Sequence, residues 1–393
     1  MILTTKQEQG LKIAVERFRN GEKYTCIAGY AGTGKSTLIK FIIEALGVDP
    51  ATDVCYVAFT GKAATVLQSK GCTNATTAHQ LLYHAKPMPN GAFKFIKKDS
   101  IDYKVIVVDE ISMLPKPMWE NLMRHNVYVL ATGDPGQLPP IYENMDNQVL
   151  DSPHIFLDEI MRQAQDSEII RLSMWVRAGR PLISFPGTNE QVRIVSPAEA
   201  VDGMYSWADQ ILCATNEKCN QINTFMRKNL GFGPLPNEKD KIISLDNHWQ
   251  YFSSKGTWAL TNGAIGTIKE SELESVRLPY YISPTPIQYL YTDILLEDGE
   301  IFNRVPIDYN SLIKGEPSLT PAQVYQLNKN EYLPDAPFEF AYAYAITCHK
   351  AQGSEWDKVL VIEDKFPTGN SIHSRWLYTA TTRAKEKLVI VRK

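Results

Sequence analysis

The sequence predicts an α/β protein with two parallel-sheet units, a hairpin insertion in the first and an all-β insertion in the second. Three observations lead there. Between residues 24 and 132 short apolar runs alternate with segments of helical spacing, the pattern of a parallel sheet covered by helices on both faces. The same alternation returns from residue 211. The stretch 236–336 differs: it is rich in Pro, Gly and aromatics and carries short alternating runs, which reads as a small all-β module.

In the first unit, Tyr24–Ala28, Asp53–Phe59, Val105–Val108 and Val127–Thr132 are expected strands, because they are rich in β-branched residues and bounded by turn signals. Lys35–Leu46, Lys62–Ser69 and Lys116–Arg124 carry apolar residues at helical spacing between them. Ile211–Ala214, Phe338–Ile346, Lys358–Ile362 and Leu388–Val391 are the strand candidates of the second unit, with helices near 216–229 and 371–381. Within the all-β module, Thr257–Leu260 and Ile287–Leu296 alternate as strands do. A shorter insertion at 84–100 centres on Asn90-Gly91, the strongest short hairpin signal, since both residues tolerate positive φ. The expected boundaries are 1–150 for the first α/β domain, 151–235 with 337–393 for the second, and 236–336 for the insertion. No short-period repeat or low-complexity segment interrupts this order.

A chain of 393 residues has room for two or three cores. Its 44% hydrophobic and 22% charged residues are ordinary for a soluble globular protein. Forty-one basic and forty-four acidic side chains leave a formal charge of -3, so there is no overall basic footprint for nucleic acid. A local basic groove remains compatible with that balance. The six cysteines form no CxxC pair and no zinc-ligand spacing, which fits a reducing compartment. With a polar N-terminus that does not read as a secretory signal and no run long enough to span a bilayer, the expected location is the cytoplasm of a bacterium or of a virus's host.

Residues 29–36 read GYAGTGKS, a complete phosphate-binding loop placed between an expected strand and an expected helix. Gly29, Gly32 and Gly34 let consecutive backbone N–H groups point at phosphate oxygens, and the following helix adds its N-terminal dipole. In this motif Lys35 reaches the β- and γ-phosphates of ATP and the Ser36 hydroxyl binds Mg²⁺; Thr33 and Thr37 complete the nucleotide-contacting stretch. Asp109 and Glu110 end the run VIVVDE. Alone they read as two solvated acids at a strand end; beside a phosphate loop, Asp109 can hold the metal and Glu110 can orient and deprotonate the attacking water. Gln7 has two readings. Thr4-x-x-Gln7 is a capping box that starts the first helix, and an amide can also read adenine with one donor and one acceptor.

The order of further motifs carries a family resemblance. After Gln7 and the phosphate loop come AFTGKAA at 58–64, ATTAH at 75–79, DEISM at 109–113, GDPGQLPP at 133–140, RQ at 162–163, ITCHKAQGSE at 346–355 and YTATTRA at 378–384. In this set and order the chain resembles superfamily-one DNA helicases, in the branch that contains the RecD subunit and the compact phage helicase Dda, over residues 3 to 392. The resemblance is to the minimal form, without the large amino-terminal extension of some members. It implies two RecA-like domains, with the hairpin at 84–100 as the strand-separating pin and the 236–336 module as an SH3-like barrel. It also implies that Gln7 reads adenine, that Asp134 and Gln137 sense the γ-phosphate, and that Arg162 and Arg383 reach it from the second domain. Gly353 and Glu355 fall beside the nucleotide in the same scheme. Thr60, Lys62, Thr77, His79, Thr347, His349 and Lys350 fall where the family contacts the single strand. His79 also has a reading as a hydrogen-bonded structural histidine.

Phe93 and Phe95 alternate with Lys94 in the hairpin. An aromatic there can stack on a base at the duplex fork, worth about 1–3 kcal/mol, or can pack onto its own domain. The expected function is an ATP- and Mg²⁺-dependent DNA helicase, travelling 5′→3′ by the branch resemblance. Its expected partners are single-stranded DNA, the duplex fork and a single-strand binding protein, and it is expected to act as a monomer without membrane attachment. The alternative is a nucleic-acid-stimulated ATPase that displaces bound proteins with little unwinding. A small-molecule P-loop kinase would leave the motifs between Thr347 and Arg383 without a role.

Overall fold

The apolar runs of the first hundred and sixty residues assemble around one sheet. In the computed structural model, which describes residues 3–87, 93–139, 147–161, 166–188, 190–256, 259–297, 299–363 and 370–392, the chain opens with helix α1 (Thr5–Arg19) and strand β1 (Tyr24–Gly29). There follow α2 (Lys35–Leu46), β2 (Val54–Ala58), α3 (Gly61–Ser69), β3 (Ala75–Thr77), α4 (Ala78–Leu82), β4 (Tyr83–Pro87) and β5 (Phe93–Lys97). Strand β6 (Val105–Val108), α5 (Lys116–Leu122), β7 (Tyr128–Gly133) and β8 (Ile155–Leu157) complete this region. The first sheet runs β3-β2-β6-β7-β1-β8, and every pairing in it is parallel. Side chains alternate across it, as the pleat requires. Ile27, Val105, Val107 and Leu130 face the core under α1 and α2, built from Ala14, Leu38 and Ile42. Cys26, Ile106, Val108 and Val129 face α4 and α5 through Leu81, Leu82, Met118 and Trp119. Strands buried on both faces read as continuous apolar runs, which is why these were visible in the sequence.

The chain continues through α6 (Glu168–Arg177), β9 (Val192–Val195), α7 (Asp202–Trp207), β10 (Gln210–Cys213), α8 (Asn216–Asn229), β11 (Lys241–Ser244), β12 (His248–Phe252) and β13 (Ala259–Leu260). Next come β14 (Ile265–Val276), β15 (Ile287–Leu296), β16 (Ile301–Asp308), α9 (Tyr309–Lys314), α10 (Pro321–Lys329), β17 (Phe340–Tyr342) and β18 (Ala345–Thr347). Strand β19 (Trp356–Ile362), α11 (Asn370–Thr381) and β20 (Ala384–Val391) end it. The chain divides into two units, Met1–Tyr83 with Lys97–Ala214 and Ala351–Lys393, and His84–Ile96 with Thr215–Lys350. The first unit holds both α/β regions: beside the six-stranded sheet, β10, β19, β20 and β9 form a second parallel set in that order. The expected boundary pair 236 and 336 falls inside the second unit.

In the second unit, β16-β15-β14-β11-β17 form an antiparallel sheet, with Ile242, Leu290, Phe302, Val305 and Phe340 in its core. Strands β12 and β13 pair separately, and β4 and β5 form a two-stranded ribbon. Asn90-Gly91 lies outside the described residues, as do Thr257 and Trp258 of an expected strand. The expected strand Phe338–Ile346 is instead two short ones. Asn223 bonds the backbone on both sides of the break: its amide donates to the carbonyls of Tyr342 (2.8 Å) and Ala345 (3.2 Å) and accepts from the Ala345 N–H (2.7 Å).

A buried ion pair ties this unit together. Asp240, wholly buried, receives the Arg227 guanidinium at 3.0 and 3.2 Å, the Tyr344 hydroxyl at 2.8 Å and the Asn237 N–H at 2.8 Å. Arg227 also donates to the Leu235 carbonyl at 2.6 Å and lies over the Tyr342 ring. Removing one partner of such a pair leaves the other charge buried alone, a cost of about 3–5 kcal/mol. Asp240→Ala is therefore expected to lower the free energy of urea unfolding by roughly that amount. An unchanged transition midpoint would contradict the role given to this pair.

Candidate active site

The phosphate loop begins where β1 runs out at Gly29 and ends where α2 starts at Lys35. Gly32 and Gly34 take φ values of 77° and 80°, open to glycine at little cost. A Cβ at Gly34 would also lie 2.5 Å from the Gln7 amide nitrogen, so the loop needs glycine there for two reasons. Helix α2 has no side-chain cap, which leaves its first N–H groups for an anion. Lys35 folds back onto the loop, donating to the carbonyls of Gly29 (2.7 Å) and Tyr30 (3.1 Å). Burial pulls its pKa down, opposed by the carboxylates of Asp134, Asp109 and Glu110.

Above the loop lies a cavity of about 470 Å³, within the range of nucleotide and cofactor sites. Lys35, Asp109, Glu110, Gln137, Gly353 and Arg383 all line it. Asp109 directly follows β6 and accepts from Thr132 Oγ1 (3.1 Å) and from the Glu110 N–H (3.1 Å). Glu110 has φ 49°, ψ 56°, a left-handed backbone rare for a non-glycine residue and typical of strain held at functional sites. Burial raises its pKa, followed by the opposing pull of Arg383 and the repulsion of Asp109. Gly353, at φ 74°, leaves room beside it: a Cβ there would meet Ala63 Cβ at 2.7 Å.

Arg383 comes from the turn after α11 and is 4% exposed. It donates to the carbonyls of Thr379 (3.1 Å) and Ser354 (3.2 Å) and to Thr382 Oγ1 (3.1 Å), and its Nη1 stands 3.8 Å from Glu110 Oε1. A cation from the second parallel sheet thus faces the carboxylate of the first across the cavity. Asp134, 4% exposed, accepts from the Gly136 N–H at 2.8 Å and from the Tyr378 hydroxyl at 2.6 Å.

The donor set fits a hydrated magnesium ion. Ser36 is exposed at the start of α2 and Asp109 is partly exposed, and both line the cavity with no histidine or cysteine among the lining residues. Among the described residues there is no cluster of three or more His, Cys, Asp or Glu side chains able to hold a metal.

The remaining expected residues fall as follows. Gln7 is 1% exposed; its Oε1 accepts from the Thr4 N–H (3.0 Å) and its amide donates to the carbonyls of Thr33 (3.3 Å) and Gly34 (3.4 Å). The capping box is therefore present, and the same side chain braces the phosphate loop. Thr33 is buried and donates to the Tyr30 carbonyl, while Gly32, Thr37 and Glu355 line the cavity. Arg162 lies outside the described residues. Thr60 caps α3 by accepting from the Ala63 N–H and lines the same cavity. Lys62 places its ammonium 4.6 Å from the centre of the Trp356 ring. Thr77, 2% exposed, forms a capping box with Gln80, and His79 lies between the rings of Phe59 and Tyr83, its pKa lowered by burial.

In the second unit, Thr347 Oγ1 accepts from the Lys350 N–H, and burial lowers the pKa of both His349 and Lys350. Phe95 is 43% exposed on β5; the Phe93 side chain lies outside the described residues. Two features escaped the sequence reading. The Glu110 backbone carries no local signal, since positive φ is uncommon for a residue other than glycine. Tyr378 stood inside a quoted motif, but nothing local tells a buried tyrosine hydroxyl that bonds across a fold from one that only packs.

Residues 4–196 match the AAA domain family, and residues 342–391 match the UvrD-like helicase C-terminal domain family. The ATP-dependent RecD2 DNA helicase of Deinococcus radiodurans is 28% identical over 93% of this chain and 46% of its own length. The RecBCD enzyme subunit RecD of Buchnera aphidicola is 34% identical over 93% of this chain and 69% of its own. The chain spans about half the length of the curated relatives heading the comparison. In fold, it matches the Pif1 helicase from Bacteroides crystallised with ADP-AlF3 and single-stranded DNA, at a TM-score of 0.55 and 17% identity over 99% of this chain and 92% of that one. That fold has two RecA-like domains, in agreement with the two parallel sheets. On the extent of the RecD match and the order of its motifs, the chain belongs to the RecD-like helicases of superfamily 1.

Proposed function

We propose that the chain is an ATP-dependent DNA helicase that moves 5′→3′ along a single strand and opens duplex ahead of it, in replication, recombination or repair. The observation that carries this reading is Arg383 facing Glu110 across the cavity at 3.8 Å. A phosphate loop alone serves kinases and transporters as well. An arginine supplied to the hydrolytic carboxylate by a second RecA-like sheet makes hydrolysis depend on how the two sheets close, which is what a motor requires.

In this reading the loop amides and Lys35 hold the phosphates. Ser36 and Asp109 would hold magnesium, which would supply positive charge beside the phosphate oxygens. Glu110 accepts the proton of the attacking water, and Arg383 stabilises charge spreading over the transferring phosphoryl group. Arg162 is assigned a similar role by the resemblance. Gln137 and Asp134 report the γ-phosphate, Gly353 and Glu355 border it, and Gln7 serves the loop or the base. Thr60, Lys62, Thr77 and His79, and separately Thr347, His349 and Lys350, position the strand through its phosphates, contacts that carry no sequence information. The hairpin, with Phe93 and Phe95, is the pin, and the 236–336 module is the SH3-like insertion. Monomeric action in the cytoplasm on tailed or forked duplexes, alongside a single-strand binding protein, completes the proposal.

Polarity is tested with duplexes carrying a 5′ or a 3′ single-stranded tail. The 5′-tailed substrate is expected to open in the presence of ATP and the 3′-tailed one to stay closed; the reverse preference would overturn the assignment.

The raised pKa of Glu110 makes a second prediction. A general base works only when ionised, so kcat/KM should fall as pH drops through a value above the ordinary glutamate pKa of about 4.3. Glu110→Gln should lower kcat by about 10²–10⁴-fold and abolish that acid limb. Retention of the same limb in the variant would place the base elsewhere.

A further inference from the structure

The segment Asp134–Leu138 carries Gln137 into the nucleotide cavity, and groups from the second parallel sheet's layer hold both its ends. At one end the Tyr378 hydroxyl donates to Asp134 Oδ2 at 2.6 Å. At the other, the Leu138 N–H donates to Thr379 Oγ1 at 2.9 Å and the Gln352 amide donates to the Leu138 carbonyl at 3.0 Å. Between them the Tyr378 ring lies against Gly136, where a Cβ would come within 3.0 Å of it. The hydroxyl has a second bond: it accepts from the N–H of Ala31, inside the phosphate loop, at 3.0 Å. Arg177 of α6 stacks its guanidinium over the ring of Tyr30, 3.4 Å from the centroid, so two adjacent loop residues are gripped from the same side.

One buried hydroxyl therefore touches three parts that hydrolysis must coordinate: the phosphate loop through Ala31, the Gln137 turn through Asp134, and α11, which leads into Arg383. A tyrosine placed only for packing needs no such pair of bonds; a phenylalanine would fill the space. We infer that Tyr378 is a positioning residue that couples the phosphate loop and the Gln137 turn to the second RecA-like domain, so that strand binding can raise the rate of ATP hydrolysis. This rests on the helicase reading and adds a part to it that neither the motif order nor the expected site residues assigned.

The full chain with Tyr378→Phe keeps the ring and loses only the hydroxyl. ATP turnover is measured with and without an oligothymidine single strand. The ratio of stimulated to unstimulated kcat is expected to fall about tenfold, the effect of one hydrogen bond lost from the transition state, while KM for ATP stays within about twofold. Thr381→Val removes another buried hydroxyl from the same helix, one that donates to the Leu377 carbonyl within that helix, and should leave the ratio at the wild-type value. Gly136→Ala, which pushes the Tyr378 ring aside without changing it, should repeat the loss and serves in place of Tyr378→Phe if that variant does not fold. A wild-type ratio in Tyr378→Phe, whether turnover is normal or both rates fall together, overturns the inference. A wild-type chain whose hydrolysis ignores the strand overturns the helicase reading itself, a different and separable result.

Discussion

A guanidinium that is almost wholly buried must be paired, because an unmatched charge in the interior is far more costly than an exposed one. Arg383 meets that requirement with two carbonyls and a hydroxyl from its own side of the cavity and with Glu110 from the other. Much of the first unit can be understood as what keeps this meeting in place. Sheet β3-β2-β6-β7-β1-β8 delivers Asp109 and Glu110 from the end of β6 and the phosphate loop from the end of β1. The second sheet delivers Arg383 from the turn between α11 and β20.

The same constraint explains why the surroundings are tight. Glu110 takes a strained backbone to turn its carboxylate into the cavity, and Gly353 is a glycine because Ala63 leaves no space for a side chain. Gln7 and Lys35 both spend hydrogen bonds on the loop's own carbonyls. Tyr378 adds a bond from the opposite side. The loop is thus held from beneath by α1 and from above by α11, and a ligand's phosphates would enter a frame already built.

Much of this was legible from residues alone. Buried parallel strands announce themselves as apolar runs, and the phosphate loop and Asp109-Glu110 sit in dense patterns whose chemistry constrains their spacing, whereas Arg383 was singled out by the family resemblance. The long strand β15 was readable from the alternation of Ile287–Leu296. What was not legible depends on distant partners. Phe338–Ile346 has the composition of one strand, and its division into two is accompanied by bonds from Asn223, more than a hundred positions earlier, to the backbone on both sides of the break. Strand β9 is only four residues long and carries the exposed, charged Arg193 at one of its two central positions, so its apolar signal is short. Thr60 and Thr77 looked like strand-contacting hydroxyls and also act as helix caps, two roles that one oxygen can combine and that sequence cannot separate. The hydroxyl of Tyr378 is the clearest case, since its value lies wholly in partners 244 and 347 residues away.

The central claim is that the hydrolytic site is split, with its second half supplied by Arg383. Its most direct test separates nucleotide binding from turnover in Arg383→Ala, using a fluorescent ATP analogue for the first and phosphate release for the second. The split site predicts binding close to that of the wild-type chain and a fall in kcat of about 10³-fold or more. Turnover within a few-fold of wild type would mean that the phosphate loop and Glu110 hydrolyse ATP without the second domain, and would contradict the account.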